Sequence, residues 1–384
     1  MIYLDNNATS RTAPSVVAAM DPYWSEAYYN PTSLAAQFEG IRKPLDLATE
    51  RLARLLNASP DEFTLTSGAT ESNNWVLQSV AAERLRKTGT CHILISAIEH
   101  PSIIETAKEL QTREPRIEVE LVPVHPSGAI NLEALRQSIR PDTALVSVMF
   151  ANNETGVIQP VRETSLIVKQ TSTSCLFHTD ATQAVGKIDV DLQYLSNVDL
   201  LSLSAHKFHG PKGIGSLFIR NGTHFESWMH GGGQQSGRRA GTESPALAAG
   251  FAMAIELLGT KQEIATRAEH ICAMRNRLEL EIGKIHPCAV VLGRDVQRLA
   301  NTSLLVFPGF EGEMLVHRLL GDGIIVSTGA ACSNGSDSPS HVILGMGIEY
   351  TIARNAIRVS LSNTTTTKET YFLLNSLNAI LRDT

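Results

Sequence analysis

No two of the five cysteines (Cys91, Cys175, Cys272, Cys288, Cys332) form a C-x-x-C pair, and none stands with histidines at zinc-ligand spacing. A disulfide framework, a zinc ribbon and a thioredoxin-type redox pair are therefore not expected. An odd, scattered count fits a reducing compartment and one reactive thiol. No apolar run is long enough to span a bilayer. The start, Met1-Ile2-Tyr3-Leu4-Asp5, carries neither the basic nor the apolar segment of a secretory leader, so a cytoplasmic location is the expectation. Positive excess is missing too: the formal charge of -6 gives no electrostatic reason to expect nucleic acid or an anionic membrane as partner. There is no internal repeat. Neither a Walker A loop nor G-x-G-x-x-G occurs, which weakens a nucleotide-binding reading.

What is present is an ordinary globular composition, 43% hydrophobic and 19% charged over 384 residues. That length exceeds what one core usually serves, so two domains are expected. Residues 15–258 form the large one, and 1–14 with 259–384 the small one. Residues 45–56 place Leu45, Ala48, Leu52 and Leu55 on one helical face. Strand-like runs at 62–66, 92–96, 117–124, 143–150 and 176–179 alternate with helical stretches such as 71–85. Such alternation predicts an α/β protein with a largely parallel sheet covered on both faces. Beyond a helix at 244–258 and a long amphipathic stretch at 261–285, strands (300–307, 324–327, 356–361) mix with helices (313–320, 368–381).

Lys207 sits in a tight turn, Ala205-His206-Lys207-Phe208-His209-Gly210-Pro211, between strand-like runs at 199–204 and 213–219. An ammonium gripped there loses water, which lowers its pKa and frees the amine, as a Schiff-base lysine requires. The alternative is a lysine that snorkels to solvent. Thr66-Ser67-Gly68-Ala69-Thr70-Glu71 joins a strand to a helix and suits either an anion cradle or an ordinary N-cap. Asp180, in His178-Thr179-Asp180-Ala181-Thr182-Gln183, ends another strand, where ligands of open α/β sheets bind. It could hold a protonated ring nitrogen while Gln183 donates to a ring oxygen, or it could simply cap the next helix. Asn153 follows a further strand in Ala151-Asn152-Asn153-Glu154-Thr155-Gly156, and His100 follows another in Glu99-His100-Pro101. His100 could stack on an aromatic ligand or be structural. The glycine-rich stretch 231–243 could offer backbone and Thr242 to a phosphate, or be a solvated loop. Cys332 stands among small polar residues, as an accessible thiol would, and is a nucleophile if its pKa is depressed. Arg358, in a short strand, needs a carboxylate partner if buried.

In order along nearly the whole chain these segments resemble the pyridoxal-phosphate-dependent cysteine desulfurases of the NifS/IscS type, within the class-V aminotransferases. Tyr3-Leu4-Asp5-Asn6-Asn7-Ala8-Thr9, Asp180-Ala181-Thr182-Gln183-Ala184-Val185-Gly186-Lys187, Arg239-Ala240-Gly241-Thr242-Glu243 and Ala331-Cys332-Ser333 complete the match. The resemblance implies the fold type I transferase architecture, with a mostly parallel seven-stranded sheet in the large domain and a smaller α+β domain. It implies pyridoxal 5′-phosphate bound covalently to Lys207, with Asp180 at the pyridinium nitrogen, Gln183 at the phenolic oxygen, and His100 stacked on the ring and assisting proton transfer as a catalytic residue. Ala69, Thr70, Ser204 and His206 would bind the phosphate, joined by Thr242 from the other subunit of a homodimer. Asn153 and Arg358 would bind cofactor or the α-carboxylate of L-cysteine. Cys332 would take the substrate sulfur as a persulfide, release alanine, and pass sulfur to an iron–sulfur scaffold or a tRNA-thiolation protein. No resident metal is required, although Cys332 could ligate an iron–sulfur cluster.

The chain also departs from the family pattern. Tyr29-Asn30-Pro31-Thr32-Ser33-Leu34-Ala35 lacks a usual histidine, Ser333-Asn334 follows the cysteine, and Asn363 stands where a basic residue is common. These departures bear on acceptor choice and on the details of the substrate loop, and not on reaction class. A selenocysteine lyase or an aminotransferase is the alternative within enzymes. A silent sulfur-protein scaffold is the alternative outside them.

Overall fold

The computed structural model describes residues 1–329 and 339–382, so Cys332 lies outside the described residues. The chain enters through β1 (Ile2–Tyr3). Seven strands then build one sheet: β2 (Phe63–Thr66), β3 (Cys91–Ser96), β4 (Ile117–Val122), β5 (Thr143–Ser147), β6 (Leu176–Asp180), β7 (Leu200–Ser204) and β8 (Gly215–Ile219). Their order is β2-β8-β7-β6-β5-β3-β4. Only β8 runs against its neighbours, β2 and β7. Every residue of β3, β5, β7 and β8 is buried, as helices on both faces require. The outer strand β4 is the partly exposed one.

Two local features aim this sheet at a site. Gly68 has φ 149°, a backbone that residues with a Cβ seldom adopt, and it turns β2 into the helix Ala69–Thr88. A Cβ on Gly215 would lie 2.3 Å from the Leu203 carbonyl oxygen and 2.8 Å from the Gly68 Cα. Only glycine lets that helix start press so closely against the ends of β7 and β8.

The C-terminal part carries β9 (Val290–Val291), β10 (Thr302–Val306), β11 (Ile324–Ile325) and β12 (Ala356–Ser360). Strands β12-β10-β9 form an antiparallel sheet, and β11 pairs in parallel with β1. Leu4, Leu278, Leu305, Phe307, Ile357 and Leu377 share one apolar core there, so the first residues fold with the last. The helix Lys261–Ile285 begins at a capping box between Thr260 and Glu263.

The expected strand at 143–150 is shorter, ending at Ser147: beyond it the Val148 and Phe150 amides still donate to the His178 and Asp180 carbonyls, but the Met149 amide bonds the Glu99 side chain and not a neighbouring strand. The expected strand at 324–327 shrinks to the pair Ile324–Ile325. Among the described residues no helix is long and apolar enough to cross a membrane.

Candidate active site

The carboxyl ends of β6 and β7, the start of the helix Ala69–Thr88 and the N-terminal segment at Asn7 enclose a cavity of about 520 Å³. Ala69, Thr70, His100, Asn153, Asp180, Gln183, Ser204, His206, Lys207 and Arg358 all line it. Thr242 does not; it is exposed on the glycine-rich loop. That loop is tied to the helix start, since Arg239 forks onto Glu71 (2.9 and 3.1 Å) while Glu71 accepts from the Ser67 amide (2.8 Å).

Asp180 is buried and aimed. Its Oδ1 accepts from the Thr182 amide (2.9 Å) and its Oδ2 from Asn73 Nδ2 (2.8 Å). Asn73 also donates to Ser102 (2.9 Å), which bonds His100 Nδ1. The Ser102 amide donates to that Nδ1 (3.1 Å), so the proton of the neutral His100 ring belongs on Nε2. Burial holds the His100 imidazole below its ordinary pKa, against the pull of Asp180, and Lys207 and His341 press the same way as burial. Burial pushes His206 down to about 4, helped by Lys207 and Lys212, so His206 offers a hydrogen bond and not a charge.

Lys207 is half-buried in its turn, and Nζ donates to the carbonyls of Asn7 (2.6 Å) and Ala8 (2.7 Å). Gln183 Nε2 donates to the same Asn7 carbonyl (2.9 Å). Arg358 is buried in β12 and has the carboxylate partner its burial demands: Nη2 donates to Asp5 Oδ1 (2.5 Å) and Nη1 to the Asn153 carbonyl (3.0 Å).

This donor set fits a phosphorylated pyridine aldehyde. At one end the helix Ala69–Thr88 opens on a glycine with no side-chain cap, and the Ser204 hydroxyl lies 3.3 Å from where a Cβ of Gly68 would stand. Free amides, a hydroxyl and a neutral imidazole make an anion cradle. At the other end a buried carboxylate awaits a cationic ring nitrogen, with an amine beside it. Thr182 Oγ1 and Arg358 Nε, both on residues lining the cavity, are buried without a hydrogen-bond partner among the described residues. Such atoms are costly unless a ligand completes them.

Three polar residues that line this cavity or hold a residue that does were not singled out by their sequence pattern. Asn73, Asn7 and Lys187 act through contacts 100 or more positions away or inside a motif whose other members drew the attention. The available signal was an amide on a buried stretch of helix and a lysine four residues after Gln183.

A family model described as aminotransferase class-V matches residues 2–372. A cysteine desulfurase IscS of Clostridium botulinum (strain Kyoto / Type A2) is 39% identical over 383 residues, covering 99% of this chain and 94% of that protein. A solved NifS-like protein superposes with a TM-score of 0.90 at 37% identity, covering 100% of both chains. A structure described as SspA in complex with cysteine gives a TM-score of 0.82 at 30% identity, covering 95% of this chain and 100% of that one.

Proposed function

The chain belongs to the class-V aminotransferase family, among its cysteine desulfurases, and from that membership we propose how its residues divide the work of removing sulfur from L-cysteine. Pyridoxal 5′-phosphate, bound in the 520 Å³ cavity, would supply an electron sink for the charge left when the substrate α-proton departs. Lys207 would hold it covalently. The helix start at Ala69 and Thr70, with Ser204 and His206, would take its phosphate. Asp180, steadied by Asn73 and Thr182, would keep a proton on the ring nitrogen. Gln183 would donate to the phenolic oxygen, and neutral His100 would cover the ring.

Arg358 and Asn153 would hold the substrate carboxylate. Arg358 can do so because Asp5 and the Asn153 carbonyl engage only part of its five-donor fork. Released to act as a base, the Lys207 amine would move the α-proton. Cys332 as thiolate would attack the substrate sulfur: a Cys332 S–S bond forms, the substrate Cβ–Sγ bond breaks, and alanine leaves after protonation at Cβ. The persulfide would then go to an acceptor protein of iron–sulfur assembly or tRNA thiolation. The working unit would be a cytoplasmic homodimer, with domains at 15–258 and at 1–14 plus 259–384.

The observation that carries this reading is the convergence of Lys207, Asp180 and an uncapped helix start on one cavity. Reconstituted protein should be yellow and, with L-cysteine and a thiol reductant, form alanine and sulfide in equal amounts. Cys332→Ala should retain the colour and lose sulfide release. Sulfide release at the wild-type rate from that variant would refute the persulfide step.

A further inference from the structure

Lys187 is set apart by its choice of partners. Its side chain borders a second cavity of about 410 Å³. The ammonium instead turns to two side-chain amide oxygens, Gln183 Oε1 (2.5 Å) and Asn7 Oδ1 (3.1 Å). No carboxylate pairs with it among the described residues. Burial pushes its pKa well below the ordinary value, with Lys207 and then Arg358 adding to the push. An amine held against that cost must be repaid by what it arranges.

It arranges two amides. Gln183 Oε1 receives the ammonium and Gln183 Nε2 donates to the Asn7 carbonyl (2.9 Å). A flipped Gln183 would set its NH2 against the Lys187 amino group and its oxygen against the Asn7 carbonyl. Asn7 is pinned as firmly: its Oδ1 also accepts from Asn301 (2.9 Å), its Nδ2 donates to Thr302 (2.8 Å) and the Asn153 carbonyl (3.0 Å), and its amide donates to Ser360 (2.9 Å). The Asn7 carbonyl is in turn an acceptor for Lys207 Nζ (2.6 Å). Gln183 lines the cofactor cavity, and one Nε2 hydrogen remains beyond the bond to Asn7.

We propose that Lys187 is a positioning residue that locks the Gln183 amide with its donor side toward the cofactor cavity, and thereby sets how tightly the proton is held between the cofactor's phenolic oxygen and Lys207. This rests on the reading of the cavity as a pyridoxal-phosphate site. Without the lock, the phenolic oxygen loses a fixed donor and becomes more basic.

The test is a spectroscopic pH titration of the bound cofactor in wild type, Lys187→Met, Lys187→Arg, Gln183→Ala and the Lys187→Met/Gln183→Ala double variant. Cofactor affinity and apoprotein melting are measured alongside. Lys187→Met should raise the midpoint of the colour change by about one unit and weaken cofactor binding about tenfold. Lys187→Arg should recover more than half of the shift. In the Gln183→Ala background most of the Lys187→Met shift should vanish. An unchanged midpoint, or a full shift that persists without Gln183, overturns the proposal. Should the Met variant not fold, Lys187→Gln carries the same comparison. Wild type that takes up no cofactor would overturn the reading of the cavity itself, and the proposal with it.

Discussion

At Glu99 the chain buries a carboxyl group completely. Its Oε1 accepts from the Ser96 hydroxyl (2.6 Å) and the Met149 amide (2.6 Å), while Oε2 has no partner among the described residues. Burial pushes its pKa up to about 8, with Asp180 adding to the push and the two hydrogen bonds opposing it. Between the ordinary carboxyl value and that one, the folded state binds more protons than the unfolded state. Stability therefore falls as pH rises through this window, by on the order of a few kcal/mol. Glu99→Gln mimics the protonated form. Its melting temperature should stay level from pH 5 to pH 8 while wild type declines, a contrast calorimetry would read; parallel curves would deny Glu99 the titration. His100, the next residue, attracted notice in the sequence because a flat ring suits a flat ligand. Glu99 offered no such cue, since a carboxylate beside a proline-started helix looks like any surface acid. Its burial is decided by strands β3 and β5, which the local sequence does not name.

Helices and strands were legible wherever periodicity ran long: 45–56 and 261–285 fall inside the helices Lys43–Leu56 and Lys261–Ile285. The reversal of β8 and the sheet order were not legible, because pairing is a long-range choice that alternation alone leaves open. Two predictions belong to this scale. Gly215→Ala thrusts a methyl at the Leu203 carbonyl and the Gly68 Cα, forcing β8 and the helix start apart. It should cost about 1–3 kcal/mol in urea unfolding, and it should weaken cofactor binding more than it reduces helix content by circular dichroism. At the other sheet, β12 holds the Arg358 guanidinium against Asp5 from the N-terminal segment. Asp5→Asn leaves that buried cation without its counter-charge, and unfolding free energy should drop by about 3–5 kcal/mol. A drop below 1 kcal/mol would mean that the Asn153 carbonyl and solvent suffice.

For the molecule as a whole, one chain alone leaves two things unsatisfied. Thr242 is exposed and does not line the 520 Å³ cavity of its own chain, and Trp24 (58%), Tyr28 (68%) and Leu34 (75%) stand exposed within one short stretch. A homodimer answers both, if the stretch is covered by a partner and Thr242 serves the partner's phosphate cradle. Hybrid dimers separate this from a cis arrangement. Lys207→Ala removes the anchor, and Thr242→Asp sets a negative charge against a phosphate. In a hybrid of the two variants, a trans role for Thr242 gives one cavity both defects. The other cavity then has intact Lys207 and, from the Lys207→Ala subunit, intact Thr242. Mixed and refolded protein should therefore regain cofactor absorbance and alanine formation that neither parent has, at one working cavity per hybrid. In a cis arrangement both cavities of the hybrid stay defective, and mixing restores nothing.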